Sequence, residues 1–451
     1  MTDQIAITRT VSVAAGPFAP GHLGELTRLV PFEMIDEVLT ATRRTEQRIR
    51  QLPARVVVYL LLAGCLFTDL GYRQVWSKLV AGLHGLPVTR PSGSALRQAR
   101  QRLGAAPLRA LFDLLRGPAA SSANAIWWKG LLPVVIDGTQ LTAADSPANL
   151  RRYVKLRGNH GGSGYPPLRL SALLSCGTRS VLDAVFDPIT TGENSQAQHL
   201  SRSLHTGMLL LADRNYAAAE LVKTFAATGA DLLIRCKANR RLRIIGRCPD
   251  GSRLSTIGEL RVRVIEARIS ITTTNGTHTS DYRLITTLLD AHRYPAAALV
   301  QLYHQRWEIE TAYLELKSTI LGGRVLRSRT PDGIDQEIHA LLIVYQLLRT
   351  AMVDATDSRP GLDPDRASFT TALNTARDQL VLAAGVIADT IIDLVGVIGE
   401  QVLANLLPDR RIRTKSRMIK RSNSKYQARG PNIDRHTYKA TTSINVVTDE
   451  P

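Results

Sequence analysis

The stretch Leu131-Leu132-Pro133-Val134-Val135-Ile136-Asp137-Gly138-Thr139 decides the fold class. Its apolar, partly β-branched block stops at an acid, a glycine and a threonine. A short continuous apolar run bounded in this way reads as a strand buried on both faces and ending at a sheet edge. A second run, Met208-Leu209-Leu210-Leu211-Ala212, stops at Asp213 in the same manner. Between them, Leu168 to Leu174 and Val181 to Phe186 flank a Cys176-Gly177-Thr178 turn and predict an antiparallel hairpin. A helix is expected over 194–204, another over 216–228, and a third buried strand over 231–236. The order strand, hairpin, helix, strand, helix, strand predicts an α/β core with a mixed sheet.

Working outward, residues 1–20 read as a loose leader and 21–125 as a helical N-terminal domain. Its helices are expected over 31–50, 53–68 and 71–83, with a fourth capped by the serines of Ser92-Gly93-Ser94. Arg97, Arg100 and Arg102, with Gln98 and Gln101, suit a DNA-facing helix; the same residues also describe a solvated helix face. The α/β core is expected over 126–350. Residues 237–290 alternate Arg, Thr, Val and Ile between Gly and Asn turns, as in Arg261-Val262-Arg263-Val264-Ile265, and predict an all-β insertion. Helix returns near Pro295 and again over 338–350. Helices are expected over 368–407, within a C-terminal helical region spanning 351–407. Residues 408–451 form a basic tail expected to contact DNA phosphates without reading sequence. The glycine-rich stretch from Gly158 to Gly164 lacks a following Lys-Ser/Thr and reads as a turn between strands.

Lys plus Arg outnumber Asp plus Glu by 57 to 39, a net charge of +18. Such an excess favours a polyanionic partner, most simply nucleic acid. A membrane partner would need an anchor. The apolar run Val56–Phe67 is too short to cross a bilayer, and Val381–Ile398 carries Asp389 and Asp393 in its interior. Met1-Thr2-Asp3-Gln4 lacks the order of a signal peptide, so a cytoplasmic, nucleoid-associated protein is expected. Cys65, Cys176, Cys236 and Cys248 show no CxxC spacing and read as reduced thiols.

Two carboxylates on neighbouring strand ends repel, and a divalent cation relieves that repulsion. Mg²⁺ takes hard oxygen ligands and commonly shares them with substrate phosphate. A third acid comes from the segment Tyr303-His304-Gln305-Arg306-Trp307-Glu308-Ile309-Glu310, which runs on to Lys317. On an ideal helix, at about 100° per residue, Tyr303, Arg306, Glu310 and Lys317 fall within an arc of roughly 60°. Leu302, Ile309, Leu316 and Ile320 occupy a neighbouring sector that can be buried. An amphipathic surface helix with paired charges would show the same pattern.

Asp137-Gly138-Thr139, Ala212-Asp213-Arg214-Asn215-Tyr216 and Tyr303-x2-Arg306-x3-Glu310-x6-Lys317 together resemble the signature regions of DDE transposases of the insertion-sequence-4 group. The last matches that group's Tyr-Arg-Glu-Lys signature in every residue and spacing. The long interval between Asp213 and Glu310 holds the β-rich insertion typical of the group, and the resemblance covers roughly residues 20–350. It implies an RNase H-like core in which Asp137, Asp213 and Glu310 hold two Mg²⁺ (or Mn²⁺) ions. It also implies nicking at the element's terminal inverted repeats and attack of the freed 3′-hydroxyl on target DNA. Tyr303, Arg306 and Lys317 would grip phosphates of double-stranded DNA, and Arg214 either contacts phosphate or pairs locally. A homodimer follows from the need to join two ends. Trp307 and Tyr282 match no defined position and read as packing residues. Two other readings are an RNase H-like nuclease without strand transfer and a non-catalytic DNA-binding descendant. The intact acidic triad argues against the latter.

Overall fold

The computed structural model describes residues 21–46, 48, 50–83, 87–117, 127–158, 161–162, 164–237, 239–383, 396–408, 413–414 and 438–447. The leader, most of the basic stretch after Pro408 and much of the 381–398 run lie outside the described residues.

The sheet is built around β1 (Leu132–Thr142), β2 (Pro167–Ser175), β3 (Val181–Pro188), β4 (Met208–Ala212) and β5 (Asp231–Arg235). They lie side by side in the order β3-β2-β1-β4-β5. The first three pair antiparallel, and β1–β4 and β4–β5 pair parallel. This mixed sheet is the expected α/β core. Strand alternation gives the sheet two buried faces. Leu132, Val134, Ile136, Leu210 and Ala212 pack on one side with residues of the helices that follow β3 and β4. Val135, Leu209, Leu211 and Leu170 pack on the other.

The all-β insertion consists of β6 (Ile244–Arg247), β7 (Arg253–Ile257), β8 (Leu260–Thr273) and β9 (Gly276–Thr286). It is continuous with the core sheet, because β9 pairs with β5. The supposed tail contributes to it as well. Residues Tyr438–Val446 form β10, antiparallel to β8. A basic tail over 408–451 is therefore corrected here: its end is a strand of the sheet.

The helices are α1 (Phe32–Ala41), α2 (Ala54–Leu66), α3 (Tyr72–Leu79), α4 (Gly93–Leu103), α5 (Ala106–Leu115), α6 (Pro147–Arg152), α7 (Glu193–Leu200), α8 (Ala219–Ala227), α9 (Ala296–Tyr303), α10 (Glu308–Leu314), α11 (Pro331–Asp357), α12 (Phe369–Val381) and α13 (Gly396–Ala404). Ser92 caps α4 as expected, its hydroxyl accepting from the Ala95 N–H at 3.1 Å. On α4, Arg97 and Arg102 are exposed, but Arg100 turns inward and stacks 3.9 Å from the centre of the Tyr72 ring. The helix expected over 31–50 stops at Ala41, and the one over 338–350 extends in both directions into α11. α11 is long and apolar enough to cross a membrane, yet 83% of its most apolar window is buried within the protein. It is the central core helix: α2, α5, α12 and α13 pack around it, and one apolar core joins these helices to a face of the sheet.

Candidate active site

β1 outlasts its parallel neighbour. Register pairs Ile136 with Ala212, where β4 ends, whereas β1 continues to Thr142 beside β2. Asp137 therefore lies in mid-strand and not at a strand end, a correction to the sequence reading. It still sits where the parallel ladder runs out, level with Asp213 on the next strand. Asp213 leaves the sheet directly. Its carboxylate accepts from the Arg214 N–H and starts a 3₁₀ turn over Arg214–Tyr216. Arg214 itself is exposed.

Period-two alternation places Val135, Asp137 and Thr139 on one face of β1, and the segment carrying Glu310 lies on that face. This segment is not one regular helix, as the arc calculation assumed. α9 gives way to a 3₁₀ turn over His304–Trp307, α10 spans Glu308–Leu314, and a π-helical turn covers Glu315–Ile320. π-helical turns recur at functional sites. Three of the four signature residues nevertheless reach β1 or the end of β4, and Glu310 faces Arg306. Arg306 stands between two of the acids, with Nη1 3.7 Å from Asp137 Oδ2 and Nη2 4.0 Å from Glu310 Oε1. Lys317 Nζ donates to Thr139 Oγ1 at 3.2 Å. The Tyr303 hydroxyl is buried and donates to the Ala212 carbonyl at 3.0 Å, immediately before Asp213. In this conformation Tyr303 anchors the rim of β4.

Tyr313, given no role in the sequence reading, supports the site from beneath. Its hydroxyl donates to the Asp137 carbonyl at 2.6 Å and accepts from the Ala172 N–H at 3.2 Å. Glu193 was missed. It opens α7 on the opposite face, and its Oε1 accepts from the Tyr216 hydroxyl at 3.2 Å. A Cβ on Gly138 would stand 2.8 Å from that same oxygen, so glycine here admits a fourth carboxylate close to Asp137. The acid in the first turn of α7 was the available signal, and such acids ordinarily serve only the helix dipole.

Burial pushes the Asp137 carboxyl up to about 6, and Glu193 and Asp213 push the same way. The Gly138 N–H and Arg306 offset part of this. A carboxyl raised in the folded state favours the protonated form. Its contribution to stability is full below the unfolded value of 3.8 and is lost as pH rises through 6. At about 1.4 kcal/mol per pKa unit, the metal-free protein loses on the order of 3 kcal/mol from this group by pH 8. Asp137→Asn is thus expected to raise the Tm of the metal-free protein at pH 8, and to raise it by only about a third as much at pH 4.5, where the loss has just begun. Calorimetry at the two pH values checks this, and equal shifts at both would refute it.

The donor set suits a hard divalent cation: three carboxylates, one of them with its charged form disfavoured chiefly by burial and further by neighbouring acids. Arg306 supplies that charge loosely. Both its contacts exceed hydrogen-bond length, and its Nε is buried without a hydrogen-bond partner. Among the described residues, no three His, Cys, Asp or Glu side chains lie close enough to close on one ion in this conformation. The residue types fit a metal, with Arg306 standing between two of the acids.

Comparison with known proteins places the chain in a family. Residues 20–113 match the insertion element 4 transposase N-terminal family, and residues 128–347 match the transposase DDE domain family. The transposase InsG for insertion sequence element IS4 of Escherichia coli (strain K12) is 27% identical over 409 residues, covering 87% of this chain and 91% of that protein. The putative transposase InsZ of the same organism is 29% identical over 206 residues, covering 45% of this chain and 67% of its own length. A piggyBac transposase in a synaptic complex with hairpin DNA aligns over 87% of this chain and 86% of that one at a TM-score of 0.42 and 12% identity, too distant to bear on the site. With both family segments present in order and a relative aligned along most of its length, the chain belongs to the DDE transposases of the insertion-sequence-4 group.

Proposed function

We propose that this cut-and-paste transposase cleaves the terminal inverted repeats of its own element, and joins them to target DNA, through Asp137, Asp213 and Glu310. The observation that carries the reading is the meeting of Asp137 and Glu310 across Arg306, at the point where β1 outruns β4 beside Asp213. DDE transposases depend on a divalent metal, and here the three carboxylates would hold two Mg²⁺ or Mn²⁺ ions. Such ions, when bound, lower the pKa of the attacking water or 3′-hydroxyl and stabilise the departing oxygen.

The chain's own residues do the rest. Tyr303 and Tyr313 fix the backbones that carry the two aspartates. Arg306 balances the acids until a cation takes over that task, and its planar fork then suits a DNA phosphate. Lys317, held against Thr139, adds a point charge on the same face, and the exposed Arg214 adds another beside Asp213. The site works on double-stranded DNA in the cytoplasm, at the nucleoid. Two ends must be brought together, so the working form is a homodimer on DNA.

A strand-transfer assay tests the proposal. With a pre-cleaved 3′-hydroxyl end taken from the inverted repeats flanking the gene, and with Mg²⁺, the wild-type protein is expected to join that end to plasmid DNA. Cleavage without joining would instead identify an RNase H-like nuclease.

A further inference from the structure

The segment α10 begins at Glu308 and gives way to the π-helical turn at Glu315, and both glutamates are buried. At about 100° per residue they lie roughly 160° and 140° around the helix from Glu310. They therefore share the face opposite the catalytic carboxylate. One guanidinium meets both. Arg179 Nε donates to Glu308 Oε2 at 2.7 Å, and Arg179 Nη1 lies 3.6 Å from Glu315 Oε1. The third nitrogen, Nη2, donates to Asp365 Oδ1 at 2.5 Å, just ahead of α12. From α11, Arg349 pairs with Glu315, and the single proton of the Tyr345 hydroxyl faces both Glu315 Oε2, at 3.3 Å, and the Arg179 carbonyl, at 3.1 Å.

Arg179 reaches this position from the β2–β3 turn with a φ of 55°, a left-handed conformation that non-glycine residues seldom adopt. Side-chain contacts on three sides hold it there. A helix gripped at two points seven residues apart can neither rotate nor slide. The grip coincides with both limits of the regular α-helical stretch that carries Glu310.

We propose that Arg179, acting through Glu308 and Glu315, is a positioning residue that sets the rotation and height of Glu310 against β1. This rests on the reading of Glu310 as a metal-site carboxylate. The clamp also ties that carboxylate to α11 and to the start of α12, outside the core sheet.

The test uses the full-length protein and Glu308→Gln, which keeps the side chain's shape and removes its charge. Mn²⁺ binding is followed by the electron paramagnetic resonance of free Mn²⁺. Glu308→Gln is expected to weaken binding at least about fivefold in the wild-type background and to add nothing to Glu310→Gln, because the clamp acts through that carboxylate. As a control, Asp183→Asn loosens another buried carboxylate, one held by Arg202 and Ser203, and is expected to lower Tm without moving Mn²⁺ affinity. Hydrogen exchange gives a metal-independent readout: amides of Glu308–Leu314 should exchange about tenfold faster in Glu308→Gln, with α2 unchanged. Unaltered exchange in α10, or equal loss of Mn²⁺ binding in both backgrounds, overturns the proposal. Failure of the wild-type protein to bind Mn²⁺, while α10 exchange responds, sinks the metal reading and leaves the clamp standing.

Discussion

Glu310→Gln is expected to abolish both cleavage and joining while leaving the protein folded and bound to its element end. The substitution keeps the side chain's length and removes the charge that, with Asp137 and Asp213, would attract a divalent ion. Metal stabilisation of the attacking and leaving oxygens contributes several kcal/mol to such reactions, so the loss should reach about three orders of magnitude. Asp137→Asn and Asp213→Asn should behave alike, and any two of these substitutions together should cost little more than one, because the three act as a unit. End binding is carried by arginines, lysines and the overall charge of +18, and should stay within a few-fold of wild type, in step with its salt dependence. Gel-shift and joining assays on the same preparations measure both quantities. Activity in Glu310→Gln within tenfold of wild type would remove that residue from the catalytic set.

The second large effect concerns stability. Arg179→Met is expected to destabilise the protein by about 3–5 kcal/mol, the usual cost of stripping one partner from a buried ion pair. Glu308, Glu315 and Asp365 all face this guanidinium, and Arg179 and Glu308 are each only 7% exposed. Removing it leaves three carboxylates with Arg349 as the remaining guanidinium paired to Glu315. Urea unfolding at pH 7 measures the change, and a loss below about 1 kcal/mol would mean that the network contributes little beyond a surface pair. Arg179→Lys should fall between the two, since an ammonium cannot fork to three acids.

The sheet could be read from the sequence because its central strands are apolar on both faces. Met208–Ala212 was located to the residue, since nothing polar interrupts it and Asp213 ends it. β1 was cut short for the converse reason. Gly138 and Thr139 look like the start of a turn, and only pairing with β2 on the far side carries the strand on to Thr142. The breaks around α10 were invisible. They coincide with contacts to Arg179 and Arg349, which are far away in sequence, and helical periodicity carries no trace of such partners. β10 was hidden by composition: the basic residues preceding it made the whole C-terminal stretch look like a tail that contacts DNA phosphates. Glu193 was hidden by topology, since it reaches Asp137 from the opposite face of the sheet through the side chain that Gly138 lacks.

Arg306 is expected to give way to a metal shared by Asp137, Asp213 and Glu310. A crystal structure of the protein with its element-end DNA and Mn²⁺, recorded at a wavelength where manganese scatters anomalously, tests it most directly. An anomalous peak ligated by these three carboxylates is expected, with the Arg306 guanidinium moved from between Asp137 and Glu310 onto a DNA phosphate. Manganese bound elsewhere, or Arg306 still standing between the two acids with DNA and Mn²⁺ present, would contradict it.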